Sequence, residues 1–258
     1  MRYTSDLTDA QWQLVEYCFP APSRIGRPRE HSPRELLNAV FYVVTTGCQW
    51  RNLPTDFPRW GTTYHYFRTW KRNGLWQTIH DHLREQVRLV DGREAQPSAA
   101  IIDSQSVKSS ECSEERGFDA GKKINGRKRH ILVDTLGLLL GVVVLPANIQ
   151  DRDGAKTLLA EFFRHGAADR MLRIWADSGY AGALLDWTLQ TWQCVLEIVK
   201  RTELHKFKIL PRRWVVERTF SWLARSRRMS RDYERQASTG ESMMYLAMIR
   251  LMLRRLAS

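Results

Sequence analysis

Up to Val90 the apolar residues recur at helical spacing; after Ala99 they contract into short runs separated by turn residues. Thr8 is placed to cap a first helix carrying Trp12, Leu14, Val15 and Cys18, which Pro20 stops. A basic loop, Arg24 to Arg29, follows, and Ser32-Pro33 opens a second helix from Arg34 to about Thr46. Its Leu36, Leu37, Val40, Phe41 and Val44 form one buried face, and Gly47 ends it. Gly61-Thr62-Thr63 leads into Tyr64, Phe67 and Trp70, interleaved with Arg68, Lys71 and Arg72 and closed by Asn73-Gly74. A fourth helix runs from Leu75 to about Val90.

The pattern changes after a short polar linker at 93–98. Ala99 to Val107, Arg129 to Asp134 and Leu138 to Pro146 read as strands, the last two joined by a hairpin turn at Thr135-Leu136-Gly137. Gly154 to about Phe163 is amphipathic and helical. Leu172 to Ala176 is a further strand, followed by Ser178-Gly179-Tyr180 and a helix to about Thr191. Cys194 to Val199 is a fifth strand, and two helices finish the chain. Strands in succession, then alternation with helices, give an α/β class: a mixed sheet flanked by helices, preceded by a small all-α module of helix-turn-helix type. The division expected is 1–92 helical, 93–98 linker and 99–258 the sheet domain.

Charge adds a partner to this picture. Forty Lys plus Arg against 28 Asp plus Glu leave a formal net charge of +12, which attracts a polyanion, and nucleic acid is the leading one. The helix from Tyr64 to Arg72 is the choice for reading bases. Lys122, Lys123, Arg127, Lys128 and Arg129 form an acid-free run read as DNA-backbone contact. From Arg201 to Arg235 eleven basic residues face four acidic ones, as expected of a segment lining a DNA channel. Cys18, Cys48, Cys112 and Cys194 are widely spaced, which argues against a disulfide framework or structural zinc. No apolar run approaches the roughly 20 residues of a membrane span, and Met1 opens a polar segment rather than a signal peptide. A soluble intracellular protein is expected.

Three acids carry the candidate chemistry. Asp103 ends the run Ala-Ile-Ile-Asp, Asp177 ends Ile-Trp-Ala-Asp, and Glu217 lies in Arg-Arg-Trp-Val-Val-Glu-Arg. The two aspartates read as the carboxyl ends of strands, where open α/β sheets bind ligands. Glu217 reads as helical, sharing a face with Arg213 beside the stripe Val216, Phe220 and Leu223. Carboxylates converging from buried strand ends need a cation. Structural roles are expected for Asp134 in the hairpin, for Asp151 and Asp153 as caps of the following helix, and for His80, His82 and His130.

Arg51 to Pro54, Ile101-Ile102-Asp103-Ser104-Gln105-Ser106-Val107-Lys108, Gly121-Lys122-Lys123 through His130, Asp134-Thr135-Leu136-Gly137, Asn148 through Gly154, Ala176-Asp177-Ser178-Gly179-Tyr180 and Pro211 through Arg218 occur in that order. Together these segments closely resemble an insertion-sequence transposase of the IS5 kind, in the IS4-like group with an Asp-Asp-Glu active site. The resemblance implies a ribonuclease-H-like catalytic domain behind a helical DNA-binding domain. It implies two divalent metal ions, usually Mg2+ with Mn2+ as substitute, held by Asp103, Asp177 and Glu217. It also implies double-stranded DNA as substrate, a homodimer in the synaptic complex and the bacterial cytoplasm, on the nucleoid when bound to DNA. The family's helix carries a tyrosine, an arginine and a lysine around the glutamate; Arg213 matches the arginine, whereas Leu210 and Ala224 stand at the other two positions, with Arg225 adjacent. Arg218 is a further expected DNA contact. The connection from Lys200 to Pro211 is shorter than in relatives that carry an inserted domain there. A noncatalytic DNA-binding derivative and a nuclease without strand transfer are the competing readings.

Overall fold

The computed structural model describes residues 3–21, 29–164, 169–199 and 214–257. The chain divides into two compact units: Met1–Val90 with Leu223–Ser230 and Ser242–Ser258, and Asp91–Trp222 with Arg231–Glu241.

The first unit holds α1 (Asp9–Gln13), α2 (Pro33–Thr46), α3 (Trp60–Arg72) and α4 (Leu75–Val90). Thr8 caps α1 in a reciprocal box with Gln11, but α1 stops at Gln13 and only a short 3-10 turn, Glu16–Cys18, continues the helix expected up to Pro20. Ser32 and Glu35 form the same box at α2, with Pro33 in its first turn. Gly47 ends α2 at φ 72, where its N–H reaches Val43 O at 2.9 Å and a Cβ would stand 3.2 Å from Arg227. Leu36, Leu37, Val40, Phe41 and Val44 are buried as their spacing required, and Phe67, Trp70 and Trp76 join them, the two indoles meeting edge-on at 5.4 Å.

The C-terminal part of α8 (Ala237–Leu256) packs in this unit, not with the sheet. Its Met243, Met244, Leu246, Met248, Ile249, Met252 and Leu253 are buried around most of the helix, so it needs cover on several sides. The α4 residue His80 packs edge-on against Tyr245 at 5.0 Å and its Nδ1 lies 3.2 Å from Asp81, a structural use of that histidine. Where the sequence reading has one block, 99–258, the compact units group Leu223–Ser230 and Ser242–Ser258 with the helices.

The second unit is a mixed sheet of β1 (Ala99–Lys108), β2 (Gly117–Asp119), β3 (Ile124–Asp134), β4 (Leu139–Pro146), β5 (Arg173–Ala176) and β6 (Val195–Ile198). β3 pairs antiparallel with β1 on one side; β4, and beyond it the short β2, pair with its other side. β5 pairs parallel with β1 and β6 parallel with β5. An antiparallel meander leading into parallel strands is the ribonuclease-H-like arrangement. Helices α5 (Asp151–Arg164) and α6 (Ala183–Trp192) cover one face through Leu158, Leu159, Phe162 and Leu184, packed with Ala100, Ile102, Leu132 and Ile174. Asp134 makes the hairpin turn, its Oδ1 accepting from Leu136 N and Leu138 N at 2.9 Å. Thr219 of α7 (Trp214–Ala224) donates to Gly137 O in that turn at 2.8 Å. β3 begins five residues earlier than its apolar pattern indicates, so the basic run enters the sheet.

Candidate active site

Asp103 and Asp177 are neighbours by register. The parallel pairing of β1 and β5 runs through Ile101↔Trp175, and each aspartate lies two residues further along its own strand direction. β5 ends at Ala176, whereas β1 continues to Lys108, so Asp103 is a mid-strand residue and not a strand end. Both side chains are half-buried. Asp103 Oδ1 accepts from Ser104 N at 2.7 Å, and Asp177 Oδ1 from Gly179 N at 2.8 Å, which starts the turn Ser178–Tyr180.

A third carboxylate stands beside them. Asp151 opens α5; its Oδ1 accepts from Ser104 Oγ at 2.7 Å and lies 3.1 Å from Lys128 Nζ. Burial pushes Asp151 up, but the hydrogen bonds from Ser104 and Lys128 and the lysine charge outweigh it and hold it below the usual carboxylate range. A Cβ at Gly179 would come to 3.0 Å from Asp177 Oδ1 and 3.7 Å from Asp151 Oδ2. The missing side chain therefore leaves a recess between the two carboxylates. Tyr180 is buried beneath it, its phenol pushed well above the ordinary value by burial first and then by the charges of Asp103 and Asp151, with a smaller push from Asp177. Its hydroxyl lies toward Ser104 without a hydrogen bond of good geometry. Hard oxygen donors, surplus negative charge and an open recess fit a divalent cation such as Mg2+.

Glu217 lies on the exposed side of α7, and among the described residues no three acidic, histidine or cysteine side chains are close enough to share one ion. The sequence assigns Asp151 to capping α5 and complementing its dipole. Nothing in its spacing announces the contact with Ser104, which depends on the packing of α5 against β1.

The basic run divides sharply. Lys122 and Lys123 are exposed, but Arg127, Lys128 and Arg129 are buried in β3 and are not DNA-facing side chains. Arg127 donates to Asp232 Oδ2 at 3.3 Å, Glu234 O at 2.9 Å and Arg235 O at 2.6 Å, and also to Glu114 O. Lys128 donates to Ile149 O at 2.8 Å and lies 3.8 Å from Asp119. Arg129 donates to Arg231 O at 3.1 Å. Arg218 is likewise engaged: its guanidinium lies 4.3 Å from the Trp214 ring centroid and 4.5 Å from that of Trp222, and it donates to Leu136 O at 3.0 Å. Arg225 is exposed, as are Arg68 and Arg72 on α3, while Lys71 is half-buried. Arg213 and all of the 201–213 charge lie outside the described residues.

His130 is fully buried on β3, flush against the Cα of Gly154, with both ring nitrogens lacking a partner among the described residues. Burial lowers its pKa to about 4, against an opposing pull from Asp151. Between about 6.5 and about 4 the unfolded chain binds a proton that the folded one refuses, so stability is lost as pH falls through that window. Urea titrations should show the wild type losing about 3 kcal/mol more than His130→Leu between pH 7 and pH 4. Equal losses in the two proteins would refute this account of His130.

Comparison with known proteins agrees with both regions. Residues 7–80 match the family described as "Putative transposase of IS4/5 family", and residues 94–252 match the family "Transposase DDE domain". An uncharacterized 16.2 kDa protein of insertion element IS402 from Burkholderia cepacia is 28% identical over 128 residues, 46% of this chain and 78% of that one. A protein described as "Putative transposase for insertion sequence element IS402", from the same organism, is 31% identical over 117 residues, 43% of this chain but 56% of its own length. Among solved structures, the Mos1 strand transfer complex aligns over 92% of this chain and 79% of its own, at 12% identity and a TM-score of 0.33. The Mos1 mariner paired end complex with Mn aligns over 96% and 72%, at 11% identity and a TM-score of 0.34. With residues 94–252, more than half of the chain, matched to it, the chain belongs to the family of the transposase DDE domain.

Proposed function

We propose that this protein binds the terminal inverted repeats of its own insertion sequence, cleaves phosphodiester bonds at the element ends and joins the freed 3′-hydroxyls to target DNA. The observation carrying the chemistry is the register that sets Asp103 beside Asp177 at the end of β5, in a chain of this family. Asp103 and Asp177 are the residues that would hold Mg2+, with Glu217 the further carboxylate that the family resemblance assigns to it; the ion would supply activation of the attacking oxygen and stabilisation of the leaving one. The protein's own share is to orient these carboxylates. Ser104 N fixes one oxygen of Asp103, Gly179 N fixes one of Asp177, and Asp151 with Lys128 braces the strand behind them. Element ends have to be brought together, which calls for a homodimer in the active complex.

The deciding experiment incubates the protein with a labelled duplex carrying an element end, a second target duplex and Mg2+ or Mn2+. Cut ends and joined strands support transposition. Cut ends alone indicate a nuclease, and specific binding without either product indicates a regulatory DNA-binding protein.

The exposed Arg68 and Arg72 on α3, together with Lys71 in its last turn, are assigned to the DNA backbone. Replacing Arg68 and Arg72 by Gln should reduce the slope of log affinity against log salt by about 2, near 0.9 for each lost phosphate contact. An unchanged slope would remove α3 from the interface.

A further inference from the structure

Within the helical unit, Gln49, Trp50, Arg51, Trp60 and Tyr64 line an open cleft of about 440 Å³ that the catalytic reading does not use. Its volume is in the range of small-ligand sites, about 300–1,000 Å³. Its walls are aromatic faces held by the core: Trp50 lies 5.2 Å from Tyr64 and 5.1 Å from Phe67, centroid to centroid. Trp60 is different, being 42% exposed, and its outer partner is the Arg51 guanidinium at 5.5 Å. The indole is thus open on the cleft side and can take a flat partner on its face.

The chemistry of the lining selects the occupant. Among the described residues no acidic side chain lines the cleft, and Arg51 together with Arg68, which stands 5.9 Å over the Tyr64 ring, disfavours a cationic ligand. The exposed Gln49 carboxamide offers a donor and an acceptor side by side, the pairing that matches a base edge. Trp60 also begins α3, a 13-residue helix with no acid in its first turn and no side-chain cap, so the positive end of that helix adjoins the cleft. A flat, neutral ring with a hydrogen-bonding edge, tethered to an anion, is a nucleotide.

We infer that this cleft takes one unpaired nucleobase of the DNA, stacked on Trp60, with Gln49 at its edge and its phosphate toward Arg51. Bases inside a duplex expose no face, so the ligand is an unstacked base at a frayed or cut end. The inference rests on the DNA-processing reading above, since cutting an element end creates such a base. Stacking on an aromatic tolerates any sequence, because every base has a π-face.

Fluorescence anisotropy of the full chain on three labelled duplexes tests this: one blunt, one with a short thymine overhang, and one whose overhang is abasic. The overhang should bind about tenfold more tightly than the blunt duplex, from the stacking of one base, and the abasic overhang should not. Trp60→Ala should erase that advantage, Trp60→Phe should keep most of it, and both should bind the blunt duplex within about twofold of wild type. Because Trp60 is exposed, its substitution leaves the fold intact, checked by an unchanged melting temperature. Equal binding of overhang and abasic duplexes, or an undiminished preference in Trp60→Ala, overturns the inference while the DNA reading stands. Failure to bind any of the three duplexes overturns both.

Discussion

Asp103→Ala is expected to reduce Mg2+-supported strand cleavage by at least about 10³-fold while changing DNA affinity by no more than about twofold. Asp103 supplies one of two carboxylates that adjacent parallel strands deliver to the same place. Gln105, the next β1 residue on the same side, is uncharged, and Ser104 points to Asp151. Asp103→Asn should fail almost as badly: it keeps an oxygen for Ser104 N but loses the charge a hard cation requires. Folding should be spared. Asp103, Asp151 and Asp177 all act on buried Tyr180, and removing one charge from such a group relieves repulsion. The metal-free melting temperature should therefore fall by no more than about 2 °C. Cleavage within tenfold of wild type would remove Asp103 from the chemistry. A large loss of melting temperature would make the activity loss structural.

The parts of this protein that follow repeating local rules were legible in the sequence. Ser32, Pro33 and Gly47 bracket α2 because capping and a left-handed stop are local requirements. The Asp134–Gly137 hairpin and the apolar runs around Asp103 and Asp177 announce the strands for the same reason. Residues whose burial is decided by distant segments stayed hidden. Arg127 and Arg129 look like solvated charge until Arg231–Arg235 is seen to supply acceptors more than a hundred residues away. α8 carries no sign of which layer it joins, since an apolar stripe fits either. Asp151 falls between these cases. Its place at the head of α5 was readable, but its contact with Ser104 depends on how α5 lies against β1. Polar residues inside the sheet defeat a reading by hydrophobic period, which treats charge as surface.

The buried arginine yields the largest expected effect on stability. Arg127 has no solvent exposure, and its guanidinium joins β3 to two chain segments, Glu114–Glu115 and Asp232–Arg235. The backbone already ties the second of these to β1, through Asp232 N to Lys108 O at 2.9 Å and Ser110 N to Asp232 O at 2.9 Å. Arg127→Met fits the space but removes the ion-pair partner of the buried Asp232 carboxylate, leaving it only the Glu234 N–H and the charge of Arg129, and strips several carbonyls of their donor, at a cost of about 3–5 kcal/mol. For a chain of this size that is a fall of roughly 10 °C in melting temperature. Adding Asp232→Leu should recover part of the loss, because the poorly compensated charge goes with it, but not all, because the carbonyls of Glu114, Glu234 and Arg235 still lack their donor and Glu234 N loses its acceptor. The same variants separate a structural arginine from a phosphate contact. A phosphate-binding Arg127 would leave the melting temperature within about 2 °C of wild type and flatten the salt dependence of DNA binding by about one unit. The buried network instead calls for a large thermal loss, partly restored by the second substitution, with an unaltered salt slope in whatever protein remains folded.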